Sequence, residues 1–257
     1  MSSAPRFQIL HLHGGEARLD FGGRTHNIKV LSIANVAISL PDLVSCLKYF
    51  PLLMSLTISA SLSQRNILPP DVPAFIELPN LRHLKLAHSG EEDPCLLFDR
   101  LLLPALKSLS LFMIVARTDW PYLKSFLERS RPPLKFLSLN GVPINETTLV
   151  ECISYIPILT KLFVISIHCT DVKVEALTLV KSKNRLCPLL ETLVFDAAGC
   201  SPSAIIKMIL SRRKSPGYTN FTTRKALKYD SLGRFKLNTI CSNPEIAERT
   251  KDGLLLH

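Results

Sequence analysis

One phrase recurs along this chain: a proline followed two residues later by L-x-x-L-x-(apolar). It reads "PLLMSLTI" from Pro51, "PNLRHLKL" from Pro79, "PALKSLSL" from Pro104, "PPLKFLSL" from Pro132, "PILTKLFV" from Pro157 and "PLLETLVF" from Pro188. The first apolar positions, Leu53, Leu81, Leu106, Leu134, Leu159 and Leu190, are spaced by 28, 25, 28, 25 and 31 residues. Without the proline the same frame fits Ile28-x-x-Leu31-x-Ile33 and Phe7-x-x-Leu10-x-Leu12 upstream, and a last weak copy is Leu232-x-x-Phe235-x-Leu237.

A period of about 20–29 residues built on L-x-x-L-x-L is the signature of a leucine-rich repeat. Each unit supplies a short strand whose apolar positions point inward and a return segment, usually a helix, outside it. One unit cannot bury its own apolar face, so neighbours stack and share a core. The expected fold is α/β, a single curved solenoid over residues 1–257 with a mainly parallel inner sheet and outer helices. The best-defined repeats run over 28–214, and residues 215–257 form a basic C-terminal cap or tail.

The outer helices show in a second duplication, "LVSCLKYFPLL" at Leu43–Leu53 and "LVECISYIPIL" at Leu149–Leu159, offset by 106 residues. Leu43, Cys46, Leu47 and Phe50 follow the i, i+3, i+4, i+7 spacing of one helical face, as do Leu149, Cys152, Ile153 and Ile156. Ser39 and Asn145 are expected N-caps, and Pro51 and Pro157 stop the helices. The offset equals four units, so Cys46 and Cys152 occupy equivalent packed positions. They are expected to be buried and unpaired.

Seven cysteines without a C-x-x-C pair give no disulfide or zinc spacing, and reduced thiols in a cytoplasmic or nuclear protein are expected. The start lacks a signal-peptide pattern, and the most apolar window, Val150–Ile167, carries Glu151, Lys161 and Pro157. The chain therefore reads as soluble, not secreted and not a membrane protein. The net charge of +10 is concentrated: Lys207–Lys236 holds nine Lys and Arg against one acid, Asp230. Most of these charges lie on the last helix and tail rather than on the repeat strands. Arg212, Arg213 and Lys214 would end a helix, where positive charge complements the dipole. Only weak, non-specific attraction to nucleic acid is expected, with a nucleic-acid-associated repeat protein as the alternative reading.

With the units laid out, the chain resembles the leucine-rich-repeat region of F-box proteins, especially the large set in mushroom-forming fungi. The telling phrases are "FLERSRPPLKFLSLNGVPINETTLVECISYIPILTKLFV" (Phe126–Val164), "LCPLLETLVF" (Leu186–Phe195) and "CSPSAIIKMILSRRK" (Cys200–Lys214). The last is similar to that family's terminal helix, an apolar helix ending in a Ser-Arg pair. The resemblance covers roughly residues 28–214 and implies the substrate-recognition part of an SCF ubiquitin-ligase receptor. The sequence shows no F-box with its Leu-Pro-x-Glu-like opening, so binding of the ligase adaptor is not expected of any residue here.

No nucleotide-binding, hydrolase or metalloprotease motif is present, and the chain reads as a non-enzyme without cofactor or metal. "HCTD" (His168–Asp171) suggests a thiol nucleophile but has no third orienting group and reads as a loop. His11 and His13 share one strand face and read as exposed. "GEEDP" (Gly90–Pro94) reads as a solvated turn, and Thr118 as the cap of the helix that Trp120 packs. The remaining candidate is the concave sheet face, made of the residues that alternate with the buried leucines. It runs from Ser55 and Thr57 through His83, Lys85, Ser108 and Ser110 to an apolar stretch. That stretch, Phe112, Phe136, Ser138, Asn140, Lys161, Phe163, Ile165 and Val194, with Thr192 and Asp196 beside it, is the expected protein-binding surface. Phe112, Phe136 and Phe163 would stand on adjacent strands about 5 Å apart.

Overall fold

In a computed structural model of the protein, the described residues are 7–15, 24–63, 74–88, 93–114, 120–167, 169–179, 186–196, 199–212, 220–223, 243–244, 246–247 and 255–256. The chain divides into two compact units, Met1–Arg117 with Pro121–Leu134, and Thr118–Trp120 with Lys135–His257. Both are α/β units built on a parallel sheet.

In the first unit the sheet joins β1 (Ile9–His13), β2 (Val30–Ser39), β3 (Ser55–Ser63), β5 (His83–His88) and β7 (Ser108–Met113), in that order. The short β4 (Ile76–Glu77) pairs with β6 (Leu101–Leu102) apart from it. Helices α1 (Leu40–Leu47), α2 (Cys95–Arg100) and α3 (Tyr122–Ser130) pack side by side. Phe98 and Phe126 meet edge to face there, with centroids 5.5 Å apart. The second unit joins β8 (Phe136–Asn140), β9 (Lys161–Ile165), β10 (Thr192–Phe195), β11 (Asn220–Thr223) and β12 (Leu255–Leu256). Its helices are α4 (Glu146–Ser154), α5 (Asp171–Ala176) and α6 (Pro202–Ser211).

The recurring frame sets the register. Leu10, Leu31 and Leu56 align, as do Leu56, Leu84 and Leu109, and in the second unit Leu137, Leu162 and Leu193. All eighteen apolar positions of the six proline-marked phrases are buried, none more than 5% exposed. The upstream frame at Ile28 is buried too, whereas Phe7 is 72% exposed and Leu10 and Leu12 only half-buried. The edge strand β1 is therefore in register without being fully enclosed. The weak copy at Leu232–Leu237 lies outside the described residues. The strand beside β10 comes earlier, at Asn220–Thr223.

The proline does more than end a helix. Phe50, Leu78, Leu103, Ile156 and Cys187 each accept, through the carbonyl, the N–H of the leucine three residues on, at 3.1–3.3 Å. Proline thus holds the second position of a four-residue turn, where its fixed φ suits the geometry. The one doubled proline behaves differently. Pro133 would fall at the third turn position, which proline disfavours. Leu134 N–H instead bonds the Pro132 carbonyl at 2.8 Å, after Arg131 in the left-handed region (φ 40).

At six places one carbonyl of a strand segment receives two successive N–H groups of the next. Gln8 accepts Lys29 and Val30, Lys29 accepts Met54 and Ser55, Met54 accepts Arg82 and His83, and Arg82 accepts Lys107 and Ser108. In the second unit Lys135 accepts Thr160 and Lys161, and Thr160 accepts Glu191 and Thr192. The same backbone device at the same phase means that each phrase is one structural unit repeated.

The expected caps are in place: Ser39 Oγ accepts Asp42 N–H at 3.1 Å, and Asn145 Oδ1 accepts Thr148 N–H at 2.8 Å. Thr118 lies outside the described residues, and α3 starts after Pro121 without a side-chain cap. Trp120 is buried. Cys46 and Cys152 are buried and form no disulfide, and burial pushes the Cys46 thiol up to about 12. No helix among the described residues is long and apolar enough to cross a membrane.

Candidate functional site

Strand phase decides which side chains stay open. In the second unit the buried Leu137, Leu139, Leu162, Val164 and Leu193 leave the alternate residues on the other sheet face. The register arranges that face in rows. Phe136, Lys161 and Thr192 stand side by side, then Ser138, Phe163 and Val194, then Asn140 beside Ile165. Phe136 and Phe163 are therefore diagonal neighbours, and their rings meet with centroids 5.3 Å apart at a 40° tilt. Diagonal pairs are within reach of aromatic side chains. Both rings are half-buried, Lys161 is exposed, and Ser138, Asn140, Ile165, Thr192 and Asp196 are half-buried.

One expected member of the face is closed. Val194 is only 5% exposed and not part of an open surface. Its short side chain stands between Phe163 on β9 and the neighbouring β11, a strand that carries no copy of the leucine phrase. Phe112 belongs to the first unit, where it aligns with Ala87 and is 37% exposed. The other first-unit positions keep the expected phase: His83 and Lys85 are exposed, and Ser55, Thr57, Ser108 and Ser110 half-buried.

No protein-family model matches the chain, and no curated protein does. The residues themselves must carry the reading.

Polar groups that the repeat phrase does not announce organise the second unit. Glu146, the first residue of α4, accepts the Thr170 N–H at 2.8 Å, the Thr170 hydroxyl at 2.6 Å and the Lys173 N–H at 3.2 Å. Partial burial pushes its carboxyl up, but these bonds and the Lys173 charge outweigh that and hold it below its ordinary value. Thr170 in turn caps α5 through Val172 N–H. Asp171 Oδ1 accepts the N–H of Ser201, the cap of α6, at 2.6 Å.

Arg212, expected at a helix end, is the C-cap of α6 and only 5% exposed. Its guanidinium donates to the carbonyls of Cys187 (2.8 Å), Leu177 (2.5 Å) and Leu186 (3.1 Å). Burial pulls its pKa down to about 10. Arg213 and Lys214 lie outside the described residues, as do Glu91, Glu92 and His168. Asp93 is buried and its carboxylate accepts Cys95 N–H at 2.9 Å, so the end of "GEEDP" is packed rather than solvated. His11 and His13 are exposed on β1, with His13 Nε2 3.3 Å from Asn35 Nδ2. Among the described residues no group of His, Cys, Asp and Glu is placed to hold a metal ion.

Proposed function

We propose that this chain is a non-catalytic protein-interaction scaffold of the leucine-rich-repeat type, a solenoid resembling the substrate-recognition region of F-box proteins. The observation that carries the reading is the Phe136–Phe163 ring pair, half-open on a sheet face and flanked by Lys161, Ser138 and Asn140. Partly open aromatics with polar neighbours are the usual composition of a protein-binding hot spot. The repeat spacing supports the solenoid, and six described cysteines in no disulfide support a cytoplasmic or nuclear setting. No residue of this sequence is assigned to the ubiquitin-ligase adaptor.

The test is affinity capture with the wild-type chain beside Phe136→Glu. A charge at the ring pair should weaken a captured protein by at least about 1–2 kcal/mol, the scale of a hot-spot loss, with an unchanged melting temperature. Partners indifferent to charge at both Phe136 and Phe163 would remove this face from the proposal.

A further inference from the structure

The loop before α5 holds a pair of reactive groups with no role in the sheet face. Lys173 Nζ lies 3.1 Å from Cys169 Sγ, and both side chains are buried, 3% and 1% exposed. The pair is local: Cys169 precedes the helix cap Thr170, and Lys173 lies in the first turn, so the two are four residues apart. The backbone between them is fixed from outside, because Glu146 holds the Thr170 hydroxyl and N–H and the Lys173 N–H. A third group is close by, since the Cys200 thiol reaches the Cys169 carbonyl at 3.4 Å.

A buried amine held against a thiol is an arrangement for covalent coupling. Desolvation raises the pKa of Cys169, and Lys173 opposes that, so the sulfur is no free thiolate waiting for alkylation. Whatever oxidises it does so with the amine already at hydrogen-bond distance. One peroxide oxidises the thiol to a sulfenic acid, a second oxidises the adjacent amine to a hydroxylamine, and the hydroxylamine oxygen then displaces water from the sulfur. Proximity of this kind favours the intramolecular path over further oxidation of the sulfur.

We infer that Lys173 and Cys169 form a reversible oxidative modification site, closed by a single bridging oxygen between the lysine nitrogen and the cysteine sulfur. With a peroxide as oxidant, one neutral amine, one thiol and two hydrogen peroxides give the N–O–S bridge and three waters. The S–H bond, one N–H bond and both O–O bonds break; an N–O and an O–S bond form. Four electrons pass from the pair to the two peroxides. Two equivalents of a dithiol return the four electrons with four protons and restore lysine, cysteine and one water. The closed bridge staples the start of α5 to the residue before its cap, and the proton that a lysine ammonium gives up to enter the reaction goes to solvent, so the positive charge beside Glu146 is lost.

Mass spectrometry tests this on the full chain. The folded protein is exposed to hydrogen peroxide, free thiols are blocked, and the chain is digested with trypsin without reductant. A bridged lysine is no longer a cleavage site. The expected product is a read-through peptide, Leu162–Lys181, heavier by about 14 Da for one oxygen gained and two hydrogens lost. Dithiothreitol followed by a second tryptic digestion should return it to the ordinary peptides ending at Lys173 and Lys181. Peroxide treatment in denaturant should not produce it, because the two groups are then no longer held together. Cys169→Ser, which keeps the tryptic site at Lys173, should abolish the read-through species; wild-type masses alone already decide the question. Three outcomes overturn the inference: Cys169 oxidised with Lys173 still cleaved, a Cys169–Cys200 disulfide at about 2 Da lighter, or an unmodified Cys169 beside an oxidised, half-exposed Cys95.

Discussion

A leucine and a serine side by side on β7 show how strictly position rules in this chain. Leu109 aligns with Leu84 and is wholly buried, while Ser110 aligns with Lys85 and is half-open. A charge at Leu109 must either be desolvated or unfold its surroundings. Leu109→Asp should therefore cost roughly 4 kcal/mol or more, and Ser110→Asp about 0.5 kcal/mol or less. Urea melts of the two variants measure the difference, and equal damage would contradict the strand phase. The same phase was legible in the sequence because it depends on nothing beyond neighbouring residues: every second side chain changes face. Val194 was not legible in that way. Its position on the open face follows from phase, but its burial depends on what packs around β10, and the neighbouring strand β11 carries no leucine phrase.

At the scale of elements, what the sequence showed and what it withheld separate along chemical lines. Strands, turns and helix caps were readable, because Ser39, Asn145 and the turn prolines act within three residues of themselves. The links between neighbouring helices were hidden, since they depend on which polar residues the stacking brings together. Glu146 and Thr170 are twenty-four residues apart, yet two bonds join them. Their linkage has a pH signature. The folded carboxyl lies below its ordinary 4.5 despite partial burial, because Thr170 and Lys173 stabilise the charged form. Its contribution to stability is then complete above about pH 4.5 and is lost as pH falls through the lower folded value. Glu146→Gln should melt earlier than wild type at neutral pH, and the gap should shrink as the solution is acidified below pH ~4. A gap that stays constant from neutral to acid would mean that the Glu146 charge contributes nothing.

For the whole molecule the question is what a net charge of +10 does. Charge counts toward polyanion binding only where it can reach a phosphate. Lys207, exposed on α6, meets that condition. Arg212, five residues on, does not: it is buried, and its two terminal nitrogens are committed to three carbonyls. Two substitutions should therefore give opposite patterns. Arg212→Lys keeps the charge, but a single ammonium cannot span the carbonyls of Leu177, Leu186 and Cys187. It should cost roughly 2–3 kcal/mol of stability and leave polyanion affinity unchanged. Lys207→Ala should move stability by about 0.5 kcal/mol or less. If Lys207 touches phosphate, the same change should lower the slope of log affinity against log salt by about one. Wild-type binding to a DNA duplex should be weak, on the order of 10⁻⁴–10⁻⁶ M at physiological salt, independent of sequence, and steeply salt-dependent. Urea melts read the stabilities, and fluorescence anisotropy across a salt series reads the affinities and the salt slope. Nanomolar, sequence-selective binding would instead make nucleic acid the partner and displace the protein-scaffold reading, because charge alone gives neither that affinity nor that selectivity.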